Sequence, residues 1–416
     1  MDTDRDKPNR RTFIMGTAAG AVGLAASKAL PAKGKVVGAN EQINVGVIGC
    51  GGRGTRWCMS QVTRLAKSHN LKITAVCDVW QPALQRATAA VQKAFGSKPF
   101  ATTNYEDLLA RDDVDAVTIA TPDHAHSPIL AAACKAGKDA YCEKPMAVRL
   151  EDAKDARQAA RKNKRVVQIG LQRRSIGANQ AWADFFHAGK LGKVTKAEIG
   201  WHDQNPRWRR DYDDVKAKDV DWKRYLMYLP DRPFDPKRYR RWHLYKDYTL
   251  GPVALLGSHY IDIVIWFLSA KCPSSAVQLG GTYIWGDDGR EHPDTCDSLF
   301  DYPEGFLCLY TNHFGNRYDD GRIVLYGTRG TFVNFQVVPN GAREGKRHFP
   351  KPFKVKPKSN ENHVQNWVEC LRTRKDPHAP VEAGYDHSVA CILAAESLYR
   401  GRRMVYDAKT MTIREA

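Results

Sequence analysis

The stretch INVGVIGCGGRG at residues 43–54 constrains this chain more than any other. It alternates and then turns apolar, as a strand buried in a parallel sheet does. Gly49-x-Gly51-x-x-Gly54 follows directly, and Cys58, Val62, Leu65 and Ala66 then recur at helical spacing. KITAVCDVW at 72–80 reads as a second strand ending in Asp78. A strand, glycine loop, helix, strand and acid in that order form a dinucleotide-binding unit. Gly49 permits the tight turn. Gly51, with Gly52 beside it, lets the backbone approach a pyrophosphate, and Gly54 lets helix and strand pack. The helix N-terminus faces the anion. A carboxylate at Asp78 accepts a hydrogen bond from the ribose 2′-hydroxyl and repels a 2′-phosphate, so NAD is expected; Arg53 in the loop leaves NADP open.

Two further strands run into loops at the same sheet edge. DAVTIATPDHAHSPIL at 115–130 predicts a strand, a loop and a helix with Ser127 as N-cap and Pro128 at its first position. DAYCEKPMAV at 139–148 predicts a strand stopped by Pro145, which fixes the chain where Lys144 emerges. Ligands bind at the carboxyl ends of parallel strands. Thr121, Pro122, His124, Glu143 and Lys144 therefore join the expected cofactor-binding set, with His124 shaping the loop rather than doing chemistry. The next helix is expected over 149–163 and the next strand over 165–174.

Together TPDHAH, EKP and the glycine loop resemble the glucose–fructose oxidoreductase/inositol dehydrogenase family, Gfo/Idh/MocA. The resemblance covers most of the chain beyond about residue 43. It implies an α/β Rossmann domain, placed at 41–170, followed by an α+β domain with a large, mainly antiparallel open sheet, placed at 171–416. It also implies a carbohydrate or polyol substrate, a homo-oligomer and a catalytic Lys–His pair, Lys144 and His259. Family dehydrogenases carry an Asp four residues before that His; this chain has Leu255 there. Asp262, Asp247 or a residue of the 202–250 segment are the candidate substitutes.

The residues of the second half agree independently. Segments 192–201, 276–285, 298–314 and 322–335 read as strands, with hairpin turns at Pro303-Glu304-Gly305 and Thr328-Arg329-Gly330. LLGSHYIDIVIWFL at 255–268 reads as a helix with Ile261, Val264, Ile265 and Leu268 on one stripe and His259, Asp262 and Trp266 on another. Segment 202–250 is a long aromatic- and arginine-rich insertion; Trp208, Asp262 and Arg173 are candidate substrate contacts. Helices over 363–371 and 386–401 are read as structural.

Residues 9–32 carry Arg10-Arg11, then Phe13 and Ile14, then a Gly/Ala-rich apolar run, the pattern of a twin-arginine export signal. Residues 1–40 are read as that signal and its linker, which predicts a periplasmic protein and the export machinery as a partner. Free NAD is not available there, so the nucleotide is expected to be held tightly and regenerated in place.

These readings converge on a periplasmic NAD(P)-dependent oxidoreductase that moves a hydride between a carbohydrate or glycoside carbinol and its bound nicotinamide. An NAD-assisted glycosidase or lyase acting through a transient keto-sugar is the alternative. A non-catalytic sugar or nucleotide sensor is the second. The net charge of +18 gathers in basic tracts at 207–210, 237–243 and 345–358, but no nucleic-acid-binding motif accompanies them. The 10 cysteines show no paired spacing, so no metal site and no disulfide scaffold are expected.

Overall fold

A computed structural model describes residues 41–340 and 348–416. The expected export signal, and the part of the 345–358 basic tract up to residue 347, lie outside the described residues.

Six parallel strands make the first sheet: β1 (Ile43–Ile48), β2 (Leu71–Cys77), β3 (Phe100–Thr102), β4 (Ala116–Ile119), β5 (Asp139–Cys142) and β6 (Val167–Ile169), in the order β3-β2-β1-β4-β5-β6. Strands β4 and β5 are buried at every position, as apolar strands covered on both faces must be. The crossovers are α1 (Ser60–His69), α2 (Gln81–Phe95), α3 (Tyr105–Leu109), α4 (Asp123–Lys135) and α5 (Leu150–Lys162). A π-helical turn over Gly54–Met59 leads from the glycine loop into α1.

One expectation for this half needs correction. The helix expected to begin at Ser127 starts four residues earlier, at Asp123, with Pro128 inside it. The Ser127 hydroxyl does not cap; it donates to the Met146 carbonyl at 2.7 Å and ties α4 to the segment after β5.

The second half begins with α6 (Gly177–His187) and β7 (Val194–His202), then enters the insertion with two short helices, α7 (Trp222–Leu226) and α8 (Pro236–Arg240). A π-helical turn over Val253–Gly257 runs into α9 (Ser258–Phe267). Strands β8 (Ser275–Gly281), β9 (Thr295–Tyr302), β10 (Phe306–His313), β11 (Ile323–Gly327), β12 (Thr331–Val333) and β13 (Gln336–Val338) follow. The chain closes with α10 (His363–Thr373), α11 (Val381–Arg400), β14 (Met404–Asp407) and β15 (Thr412–Glu415). The nine strands lie in the order β13-β12-β11-β7-β10-β9-β8-β14-β15, and β7–β10 is the one parallel pair among them. Both expected hairpin turns are present, joining β9 to β10 and β11 to β12. The fold is thus a Rossmann domain followed by a large, mainly antiparallel open sheet.

Burial ties the halves together. One core runs from Ile119, Ala153 and Ile169 through Val264 and Leu393 to Phe300 and Tyr310. A second packs Val45, Val62 and Tyr141 against Trp367 and Val368 of α10. The chain after residue 171 therefore returns to complete the first domain. Trp367 is fully buried there, worth roughly 3 kcal/mol for a side chain of that size. The outer face of the large sheet leaves Val277, Leu279, Leu299 and Leu307 exposed.

Candidate active site

The glycine loop has the shape its spacing requires. Gly49 has φ +86°, and a Cβ there would lie 2.7 Å from the Ala120 backbone. A Cβ on Gly54 would strike the Gly49 carbonyl oxygen. Gly51 and Gly52 are the reverse case: a Cβ on either would meet nothing within 4 Å. The loop is therefore tight where it packs and open where a diphosphate must approach, so the residues present fit a dinucleotide. Asp78 closes the loop from β2. Its Oδ2 accepts from the Cys50 amide at 2.7 Å and its Oδ1 from the Trp80 amide at 2.8 Å. Burial pushes its carboxyl up to about 6.

Arg53 reaches from the loop to Glu143, Nε to Oε1 2.7 Å, while its guanidinium also lies 4.9 Å from the Trp57 ring. Glu143 is nearly buried and fills the space a side chain on Gly170 would need: a Cβ there would sit 2.7 Å from Glu143 Oε2. This pair joins the ends of β1 and β5, so Arg53 acts first as Glu143's partner.

Lys144 and Pro145 are joined by a cis peptide bond. The Lys144 Nζ donates to the Leu255 carbonyl oxygen at 2.6 Å. Burial lowers the ammonium's pKa, opposed by the charges of Asp123 and Glu143. The acceptor belongs to the π-helical turn Val253–Gly257, and His259 stands one turn further on. Lys144 is also the strongest charge acting on His259, whose imidazole is held well below its ordinary pKa, chiefly by burial. His259 Nδ1 has no hydrogen-bond partner among the described residues. It is a neutral imidazole with an unused nitrogen beside a lysine whose ammonium burial makes less stable.

Three residues near this pair escaped the sequence reading. Asp123, at the start of α4, is 3% exposed; its Oδ2 accepts from Thr249 Oγ1 at 2.7 Å, and burial pushes its carboxyl up to about 7 against the pull of Lys144. His126 bridges the two loops, with Nδ1 2.8 Å from the Pro145 carbonyl and Nε2 2.9 Å from the Thr121 carbonyl. His243 stacks on Trp242, ring centroids 3.6 Å apart, and on Trp208, 5.5 Å apart and nearly parallel at 7°. The TPDHAH sequence contained the signal for the first two. Nothing local marked His243.

The remaining predicted residues fall as follows. Thr121 and Pro122 lie in the β4–α4 loop, and Thr121 Oγ1 has no partner among the described residues. His124 is buried and held at about 4 by burial; its Nε2 lies 2.9 Å from the Tyr225 carbonyl, so it fastens the insertion to α4. The insertion also donates from Asp221 N to the Val79 carbonyl, next to Asp78. Trp208 is partly exposed and stacked on His243. Arg173 is partly exposed, Nη2 3.0 Å from Tyr260 Oη, with its guanidinium 4.2 Å from that ring. Asp262 is displaced from the expected substrate set. It is 1% exposed and paired with Arg174, Nη2 to Oδ1 2.7 Å and Nε to Oδ2 2.9 Å, which holds it in the core. Asp247 is paired with Arg232 and Arg238. Neither carboxylate stands in for the acid missing at Leu255.

The family model described as the oxidoreductase family, NAD-binding Rossmann fold (GFO_IDH_MocA) matches residues 43–171, and the GFO/IDH/MocA C-terminal domain model matches 224–333, together more than half of the chain. This chain belongs to the Gfo/Idh/MocA family. Residues 43–171 carry that family's NAD-binding Rossmann fold.

Curated relatives of this Gfo/Idh/MocA protein include a glycosyl hydrolase family 109 protein of Shewanella baltica, 27% identical over 226 residues, 53% of this chain and 44% of the relative. One from Saccharopolyspora erythraea is 32% identical over 214 residues, 46% of each chain. The chain spans less than half the length of these relatives. Solved structures with the same fold include the WlbA dehydrogenase from Bordetella pertussis in complex with NADH and UDP-GlcNAcA, at TM-score 0.64 and 20% identity, covering 88% of this chain and 99% of that one. The aldose-aldose oxidoreductase from Caulobacter crescentus, complexed with glycerol, gives TM-score 0.65 and 17% identity over 88% of this chain and 100% of that one.

Proposed function

We propose that this protein oxidises a carbohydrate or glycoside hydroxyl carbon with Lys144 as the proton-accepting residue and His259 as its partner. The observation that carries the reading is the placement of Lys144 Nζ on the Leu255 carbonyl, one helical turn before His259. The glycine loop, Asp78 and Thr121 would hold the nucleotide, and a bound nicotinamide would supply hydride acceptance. Lys144, made easier to deprotonate by burial, accepts the hydroxyl proton as the carbinol carbon is oxidised. His259 is neutral at pH 7 and presents an unused nitrogen, so it can hydrogen-bond the substrate oxygen. Trp208 and Arg173 are the proposed sugar contacts.

A second reading is favoured by the relatives named glycosyl hydrolase family 109. In it the same pair forms a transient ketone, and the acidified neighbouring C–H proton and the leaving group are eliminated to give an unsaturated ketone. Water adds to that double bond in a glycosidase or does not in a lyase, and the ketone is reduced by the hydride taken up in the first step, with no net redox change. Aryl glycosides separate the two. Lasting reduction of the nicotinamide with a stable ketone product supports the dehydrogenase; phenol release without lasting reduction supports the glycosidase. Neither signal in a protein that carries nucleotide overturns both.

Tight retention of the nucleotide, NAD in preference to NADP, and export to the periplasm belong to the same proposal. They rest on Asp78 and on the Arg10-Arg11 motif. A homo-oligomer is supported by the exposed Val277, Leu279, Leu299 and Leu307 on the large sheet.

A further inference from the structure

Arg173 and Arg174 are neighbours in one short 3-10 turn, Gln172–Ser175, yet their charges are handled differently. Arg174 is buried and fully matched: its fork meets both oxygens of Asp262. Arg173 has no ion-pair partner among the described residues. Its hydrogen bond runs from Nη2 to the neutral Tyr260 Oη, and it leans on that ring. Tyr260 adjoins His259, and both pack against Trp201, with ring centroids at 5.9 and 6.4 Å. Arg173 therefore stands beside the catalytic histidine on the wall where the second domain begins.

The local field is one-sided. The charges that bear most on His259 are Lys144, Arg173 and Arg53, all cationic. Arg53 is matched by Glu143, and Lys144 has Asp123 and Glu143 near it. Arg207, over the Trp201 ring, is matched by Asp203. Arg173 is left as the guanidinium of this wall without a carboxylate. A partly buried guanidinium that keeps most of its five donors free is suited to a planar two-oxygen anion.

We infer that Arg173 binds a carboxylate of the substrate, so that the sugar is an acidic one, a uronic acid or its glycoside. This rests on the carbohydrate reading above and narrows it. The carboxylate supplies the countercharge that the wall lacks, and it orients the ring with its reacting carbon toward Lys144 and His259.

Calorimetric titration of the full chain with paired methyl glycosides tests this: D-glucuronic and D-galacturonic acid against D-glucose and D-galactose. Binding needs no turnover, so failure of the catalytic reading and failure of this one are told apart. The acidic member of at least one pair is expected to bind about tenfold tighter than its neutral counterpart, the size of one charge-assisted hydrogen-bonded contact. That gap should narrow as salt is raised. Arg173→Gln collapses the acid-to-neutral ratio toward one, and Arg173→Lys, which keeps the charge but not the fork, retains part of it. A neutral sugar bound as tightly as its acid, no binding by either class, or a preference that survives in Arg173→Gln overturns the assignment. If Arg173→Gln does not fold, the ratio and its salt dependence in the unaltered protein still decide.

Discussion

Lys144 and Leu255 lie 111 residues apart in the chain and meet across 2.6 Å, side-chain ammonium to main-chain carbonyl. A carbonyl dipole orients the amine without adding a full negative charge. An acid in the same place would stabilise the ammonium and make it a poorer base. The position that looks deficient by its side chain thus serves through its backbone, and Asp123 supplies the nearby charge from the opposite loop.

Replacing Lys144 with Met keeps the stem and removes the proton acceptor. Turnover is expected to fall by roughly 10²–10⁴-fold, the usual contribution of a positioned acid–base group. Loss of bound nucleotide in the purified variant would mark the cofactor-binding share of Lys144, and loss of turnover with nucleotide retained its share in proton transfer. Lys144→Arg should not restore turnover, because a guanidinium does not give up its proton. Steady-state rates and nucleotide analysis on the same preparations check both points.

Asp123→Asn tests the electrostatic arrangement. The carboxylate favours the charged form of Lys144, so its loss lets the amine deprotonate at lower pH. The ascending, acid-side limb of the kcat/KM profile, which needs the deprotonated amine, should move to lower pH, with the Thr249 contact preserved through the amide oxygen. An unmoved limb would show that Asp123 does not act on Lys144.

The glycines separate folding from binding. Gly49→Ala forces a side chain into positive φ against the Ala120 backbone and should destabilise the protein by at least about 1–2 kcal/mol. Gly51→Ala meets nothing within 4 Å, so thermal stability of the nucleotide-free protein should hold while nucleotide retention falls. Melting curves and retained nucleotide, measured together, distinguish the two variants.

How far the sequence was legible follows from where each signal resides. The glycine loop and EKP are local: spacing, turn chemistry and strand ends specify them, and the structure places them at one sheet edge. Asp262 was misjudged because helical spacing set it near His259, whereas Arg174, 88 residues earlier in the chain, claims it. The start of α4 was misjudged because a distant carbonyl, that of Met146, occupies the Ser127 hydroxyl. His243 and the Leu255 carbonyl depend on how a long aromatic insertion folds and on a π-helical turn. Neither leaves a periodic mark in the chain.

Buried histidines set the response to acid. His124 and His387 are held at about 4, and His292 and His363 at about 3, each chiefly by burial. A depressed folded-state pKa gives stability that is present above the unfolded value near 6.5 and lost as pH falls through the folded value. Four such groups predict a melting temperature that declines steadily from about pH 6.5 to about pH 4. Asp123 acts in the opposite direction: its folded value near 7 withdraws stability as pH rises from about 4 to 7. Thermal melts across this range should show the histidine trend, weakened in a His387→Gln variant.

Mass spectrometry of the small molecules released on denaturing the purified protein bears most directly on the central claim, that a lysine anchored on a backbone carbonyl works beside a nucleotide lodged in the glycine loop. The account predicts close to one NAD(H) per chain, surviving gel filtration. Protein that is folded, binds no NAD even when it is supplied, and releases none on denaturation would contradict it.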